Sequence, residues 1–222
     1  MAAVSDAYAT DVEYRAGSGK AGSGTDASLN ADLLAVSRYI DGELGRFFTK
    51  DANDVVRQFD APRIKSRHYR ADWAESENPW LYGGLTRRLE IDDLVSVTSI
   101  IIDSARSGTF TEPPLALTDY QLLPQNALTG PEPAPYIAIE LTEWGSQAGW
   151  PPHAPIQITG KWGWPAVPIG VKQACIQLTA ILRNESPRAR REMTAPGVVL
   201  GMSAQAQSIV MDLINSYAKV NL

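Results

Sequence analysis

Two acidic residues beside tryptophans are the most suggestive chemistry in this sequence: Glu140 and Glu143 next to Trp144 and Trp150, with Trp162 and Trp164 following. A tryptophan-lined groove holding two carboxylates can cleave a sugar linkage, one acid protonating the leaving oxygen while the other attacks or activates water. Against that, Tyr136, Ala138 and Glu140 alternate with Ile137, Ile139 and Leu141, which predicts an amphipathic strand with Glu140 on its solvated face. Metal chemistry has little to work with: His68, His153 and Cys175 are far apart, and the neighbours Ala174, Ile176 and Leu178 make Cys175 a small buried hydrophobe. Gly19-Lys20 suggests a phosphate-binding loop, but Tyr14 stands where its first glycine belongs and Ala21 where the magnesium-binding hydroxyl belongs. No G-x-S-x-G elbow offers a nucleophile. The expectation is no catalytic residue, no cofactor and no metal.

The whole chain bounds the remaining possibilities. Its 222 residues can bury roughly 70% of the unfolded surface. With 44% hydrophobic and 20% charged residues, a globular fold is expected without disulfides. Twenty basic against 25 acidic residues leave a formal charge of −5, which argues against a free-standing nucleic-acid binder because phosphate affinity comes from clustered Lys and Arg. The first residues lack a signal-like basic start and apolar stretch, and no later run approaches the ~20 apolar residues of a membrane span. The expectation is a chain kept in a cytoplasm, with no membrane partner.

Local pattern divides the chain. Residues 1–27, with AGSGKAGSGTDA at 16–27, read as a flexible tail. Leu33, Val36, Ile40, Leu44 and Phe47 recur at helical spacing, predicting a first helix over 28–50 with Asp26 or Ser28 as its cap. Residues 55–164 hold short β-type runs at 63–69, 94–103, 120–123, 136–141 and 156–162, with prolines between them. A second helix over 165–185 opens at Pro168 and carries Val171, Cys175, Leu178 and Leu182, a stripe suited to pack on Val36, Ile40 and Leu44. A basic linker over 186–202 contains Arg188, Arg190 and Arg191, then Val198, Val199 and Leu200, an apolar run too short to form a core. A third helix over 203–220 ends its stripe at Tyr217. The predicted class is α+β: a small helical bundle core with a long antiparallel β-rich insertion between its first and second main helices.

Residues 158–184, ITGKWGWPAVPIGVKQACIQLTAILRN, form a strand, a Gly-Trp-Pro turn and a helix. This stretch resembles the head-to-tail adaptor (connector) proteins of tailed double-stranded DNA bacteriophages. Residues 41–48, the R-L-E-I-D-D-L-V-S-V-T-S segment at 88–99 and Gly197-Val198-Val199 agree with it. Trp162, Gly163, Trp164, Pro165 and Pro168 carry the fold signature. The chain departs from the family pattern at Leu200-Gly201-Met202 and at Tyr217-Ala218-Lys219.

The resemblance implies a dodecameric ring of this chain in the virion, assembled in the host cytoplasm. The ring would lie between a portal protein and a downstream stopper or tail protein. Genomic DNA would pass through its lumen without specific binding, as net negative charge would favour. Arg188, Arg190, Arg191, Val198, Val199, Leu200 and Tyr217 are the candidates to face the portal. The alternatives are another joining ring, a stopper or tail terminator, and a carbohydrate-active enzyme using Glu140 and Glu143.

Overall fold

Helix α2 (Ala27–Leu44) shows how local chemistry sets an element's limits. The Asp26 carboxylate accepts from the backbone N–H groups of Ser28 (3.0 Å) and Leu29 (3.2 Å), satisfying donors that no helical carbonyl reaches. At the other end Gly45 takes a left-handed conformation, φ 62°, and its N–H closes on the Asp41 carbonyl. The helix therefore stops short of the predicted residue 50. Phe47 leaves the apolar stripe and is 60% exposed, while Phe48 occupies the buried place.

The computed structural model describes residues 7–18, 26–61, 87–184 and 215–217. These fall into two compact units, one combining Met1–Thr49 with Ala166–Leu222, the other Lys50–Pro165.

In the first unit α2 packs on α3 (Ile169–Asn184), and α1 (Asp11–Ser18) touches both. The Pro168 carbonyl accepts the first bond of α3, from the Lys172 N–H at 2.9 Å. Val171, Ala174, Cys175, Leu178 and Leu182 are buried along one face of α3, and Leu33, Val36, Ile40 and Leu44 along one face of α2. Cys175 meets the α2 side at Ser37, Sγ to Oγ 3.5 Å, and burial raises its thiol above the ordinary value.

Helix α1 corrects the expectation of a flexible tail throughout 1–27. Thr10 and Glu13 form a reciprocal cap: the Glu13 N–H donates to Thr10 Oγ1 at 3.2 Å, and the Thr10 N–H donates to Glu13 Oε2 at 2.8 Å. Tyr8 and Tyr14 are each 2% exposed, so this segment supplies core. Ion pairs join the helices: Glu13 to Lys172 at 2.6 Å, and Arg183 to Asp32 at 2.8 Å and to the α2 cap Asp26 at 3.3 Å. Most of the glycine-rich stretch, 19–25, lies outside the described residues.

The second unit is an antiparallel five-stranded sheet in the order β1 (Val55–Asp60), β5 (Pro155–Trp162), β2 (Arg88–Ile102), β4 (Tyr136–Leu141), β3 (Tyr120–Leu123). Strand β5 alternates buried and half-buried residues without a break, placing Ile156, Ile158, Gly160 and Trp162 in the core. Their partners on β2 are Ile102, Ile100, Val97 and Leu94, spaced two, three and three residues apart. Two bulges, each adding a residue to β2, create this uneven spacing. The sequence pattern shows β2 only from residue 94, whereas the strand begins at Arg88 and its register against β4 shifts between Glu90 and Leu94. Strand β1 is a further element that the pattern did not single out, and the expected run at 63–69 lies outside the described residues. So does the third helix, apart from a 3-10 turn at Asn215–Tyr217.

Candidate functional site

The Trp162-Gly163-Trp164 turn is held to the sheet by backbone and indole hydrogen bonds. Gly163, at φ 102°, occupies a conformation that a side chain resists, and its N–H donates to the Asp93 carbonyl at 2.8 Å. Trp162 is 1% exposed, and its indole N–H donates to the Val55 carbonyl at 2.8 Å. The Arg57 guanidinium lies 4.6 Å from the Trp162 ring centroid. Trp164 donates its indole N–H to Asp93 Oδ2 at 3.1 Å. The indoles thus tie the end of β5 to the start of β1 and the following Trp164 to the middle of β2, which is a structural role.

Each member of the acidic pair has a partner of its own. Glu140 accepts from the Gln121 amide at 2.8 Å across β3 and β4. Glu143 pairs with Arg87 at 3.3 Å. Trp150 is 1% exposed in the core, whereas Trp144 is 94% exposed, so the two do not form one stacking surface. Along β4 the expected alternation holds for Ile139 and Leu141, which are buried, but Ile137 is 39% exposed and Ala138 is buried. Replacing Glu140 and Glu143 together by Gln should leave the urea unfolding midpoint within experimental error, because exposed or half-exposed pairs of this kind contribute only about 0 to 1 kcal/mol. A hydrolytic activity abolished by that double substitution would contradict this assignment.

Two loops, before β3 and after β4, form a built tip. The Asp119 carboxylate accepts from the Ser146 hydroxyl (2.8 Å), the Ser146 N–H (3.1 Å) and the Ala116 N–H (3.2 Å). Thr142 donates its N–H to the Asp119 carbonyl at 2.9 Å and its hydroxyl to the Thr118 carbonyl at 2.8 Å. A side chain at Gly145 would meet Asp119 Cα at 3.0 Å, so the loops touch where only glycine fits. The tip displays Leu117, 82% exposed, and Trp144.

The hydrogen bonds from Ser146, side chain first, hold the Asp119 carboxyl below its ordinary value, with burial opposing them. A carboxyl depressed in the folded state contributes stability above its unfolded value of about 4, and that contribution is lost as pH falls through the folded value. Asp119→Ala should therefore lower the melting temperature at pH 7, and the gap from wild type should close as pH drops below about 4. An unchanged gap at low pH would show that the carboxylate's charge is not what organises the tip.

In the helical unit a polar clasp fixes the N-terminal segment. The Tyr8 hydroxyl donates to Asp41 and accepts from the Phe48 N–H at 3.0 Å, and the Tyr8 N–H donates to Ser37 Oγ at 2.9 Å. Arg38 pairs with Asp41 at 3.0 Å. Burial raises the Asp41 carboxyl, with the Tyr8 hydroxyl and Arg38 pulling it down, and burial likewise raises the Tyr8 hydroxyl. Sequence periodicity missed this clasp because Tyr8 comes from a segment too short to show a stripe and its partners Ser37, Arg38 and Asp41 on α2 are polar.

Of the residues expected to face a portal, Arg188, Arg190, Arg191, Val198, Val199 and Leu200 lie outside the described residues. Tyr217 is described: its ring stands edge-on to Phe48 at 6.1 Å, and its carbonyl accepts from Arg46 at 3.0 Å. Among the described residues no group of three or more His, Cys, Asp or Glu is placed to hold a metal, and no helix is long and apolar enough to cross a membrane.

The arrangement is that of an α+β protein with a helical unit and a five-stranded antiparallel sheet unit. No protein-family model matches the chain, and no curated protein matches it. Among solved structures, a chain in the neck of an empty gene transfer agent (GTA) particle, computed with C6 symmetry, is similar at TM-score 0.50 and 17% identity, covering 98% of this chain and 93% of that one. A chain in the neck of a native GTA particle, computed with C12 symmetry, is similar at TM-score 0.41 and 18% identity, covering 89% and 85%. The first likeness shows a shared fold over nearly the whole chain.

Proposed function

We propose that this protein is a neck component of a tailed phage or phage-like particle, a head-to-tail adaptor that forms a homo-oligomeric ring below the portal. The single observation that carries the reading is the end-to-end fold likeness to a chain of a GTA particle neck, which covers 98% of this chain. The Trp162, Gly163, Trp164, Pro165 and Pro168 signature supports it independently, since Gly163 and Pro168 take the turn and helix-opening roles that the adaptor resemblance requires. The role is adhesive and mechanical: the ring joins capsid to tail and extends the DNA channel. A formal charge of −5 suits a conduit, because a lumen that gripped phosphates would slow the passing duplex. The carbohydrate-active alternative is not favoured, because Glu140 and Glu143 are held by Gln121 and Arg87.

The segment after Arg191 is proposed as the portal-docking part, with Val198, Val199 and Leu200 as its apolar contact. The test is to add purified protein to portal-bearing heads that lack a neck, and to locate the added mass by electron microscopy. A ring directly on the portal is the expected result. A ring one layer further out would make the protein a stopper or tail terminator, and no binding would overturn the neck assignment. A chain ending at Arg191 should fold, judged by far-ultraviolet circular dichroism, yet fail to bind the heads; normal binding would remove the docking role from this segment.

A further inference from the structure

Just past α2, one buried ring is clamped from two distant parts of the sequence. Phe48, 0% exposed, meets the Tyr8 ring edge-on at 5.7 Å and the Tyr217 ring edge-on at 6.1 Å. Residues 46–48 also bond to both neighbours: the Phe48 N–H donates to the Tyr8 hydroxyl at 3.0 Å, and the Arg46 guanidinium donates to the Tyr217 carbonyl at 3.0 Å. We propose that residues 46–48 are a latch shared by the N-terminal and C-terminal segments, so that Tyr8 and the α1 helix behind it stay seated only while Tyr217 holds Phe48. The consequence for assembly rests on the docking reading above: a portal that draws the C-terminal segment away would loosen residues 7–18 as well.

The coupling follows from what each group would lose. Without Tyr217, one edge-on contact to Phe48 is gone and water reaches a ring that is otherwise fully buried, so the ring and its N–H no longer have a single position. The Tyr8 hydroxyl is a relay, accepting from that N–H while donating to Asp41, whose carboxylate also pairs with Arg38 at 3.0 Å. Arg38 in turn lies 5.7 Å from the Tyr8 ring centroid. Displacing Phe48 therefore disturbs a buried chain of polar groups in which every lost partner is costly. The rest of α1 offers weaker polar ties: Glu13 and Lys172 are 38% and 37% exposed, so their ion pair contributes little, and the polar hold on the segment falls to Tyr8. All of these groups belong to the helical unit.

The latch is tested on the full-length chain by amide hydrogen exchange, read on proteolytic peptides. Tyr217→Ala should speed exchange within residues 7–18 roughly 10-fold, a size usual for coupled neighbours, while peptides from α3 keep the wild-type rate. Tyr217→Phe keeps the ring edge on Phe48 and should leave residues 7–18 as in wild type. Tyr8→Ala should conversely speed exchange at residues 215–217, because a coupling acts in both directions. Unchanged exchange at 7–18 in Tyr217→Ala would overturn the latch, as would an equal rise in Tyr217→Phe. A rise of the same size in α3 would mean that the whole helical unit opens, and would overturn it too. Wild-type protein bound to portal-bearing heads should show the faster exchange at 7–18, and unchanged protection there would sink the link to the portal. Failure to bind heads is the separate result that removes the docking reading, with the latch still decided by the free chain.

Discussion

Leu178→Ala is expected to destabilise the helical unit by about 2 to 5 kcal/mol, the cost of lost transfer energy plus the cavity left behind. Leu178 is 0% exposed in α3, with Val171, Ala174 and Cys175 buried beside it on the same face. Cys175 meets Ser37 of α2 across the same layer. A substitution that opens this layer leaves a cavity that only repacking of the two helices could fill. For a chain of this size each kcal/mol shifts the melting temperature by roughly 2 to 4 °C, so calorimetry reads the effect directly. A change near zero would show that this face of α3 is not the packed one.

Gly160→Val should be equally damaging to the sheet, for a different reason. Gly160 lies in β5 between β1 and β2, paired with Val55 on one side and Val97 on the other. A Cβ here would collide with the Ser96 carbonyl and come within 3.2 Å of Leu94 Cδ1. The obstacle is backbone at a bulge, which cannot rotate aside as a side chain would. Overpacking of this kind costs about 1 to 3 kcal/mol or more, and a β-branched residue should reach the top of that range. Gly42→Ala is the matched control: nothing lies within 4 Å of its Cβ position in α2, so the change should stabilise by about 0.5 to 1 kcal/mol. Urea midpoints of the two variants should therefore move in opposite directions. If Gly160→Val unfolds at the wild-type midpoint, the bulge is not closed against β5.

The helical unit was largely legible because its cues are local. Asp26 caps α2 through hydrogen bonds to residues two and three positions along, and Pro168 opens α3 within one turn. The stripes Val36, Ile40, Leu44 and Val171, Cys175, Leu178, Leu182 needed only a 3.6-residue period to be seen. What escaped was α1, whose eight residues are too few for a stripe. Its signal was the Thr10 and Glu13 spacing of a reciprocal cap, lying just ahead of the glycine-rich stretch.

Strands β3, β4 and β5 were legible for the same reason, through runs bounded by proline. Strand β2 was half hidden because its alternation breaks at Asp92-Asp93, where the register against β4 also shifts, and only the register against β5 shows where Leu94 and Val97 pair. Likewise Glu140 and Glu143 looked paired in sequence, but their partners are Gln121, on β3, and Arg87, just before β2. Sequence by itself determined the α+β class, the starts of α2 and α3, the apolar stripes and the Trp-Gly-Trp-Pro turn, all properties of neighbouring residues and short-range sterics. Tertiary structure alone decided the strand order, the bulges, the burial of Tyr8 and Tyr14, and the tip that Asp119 holds, because each depends on groups that meet only after the chain has closed long loops.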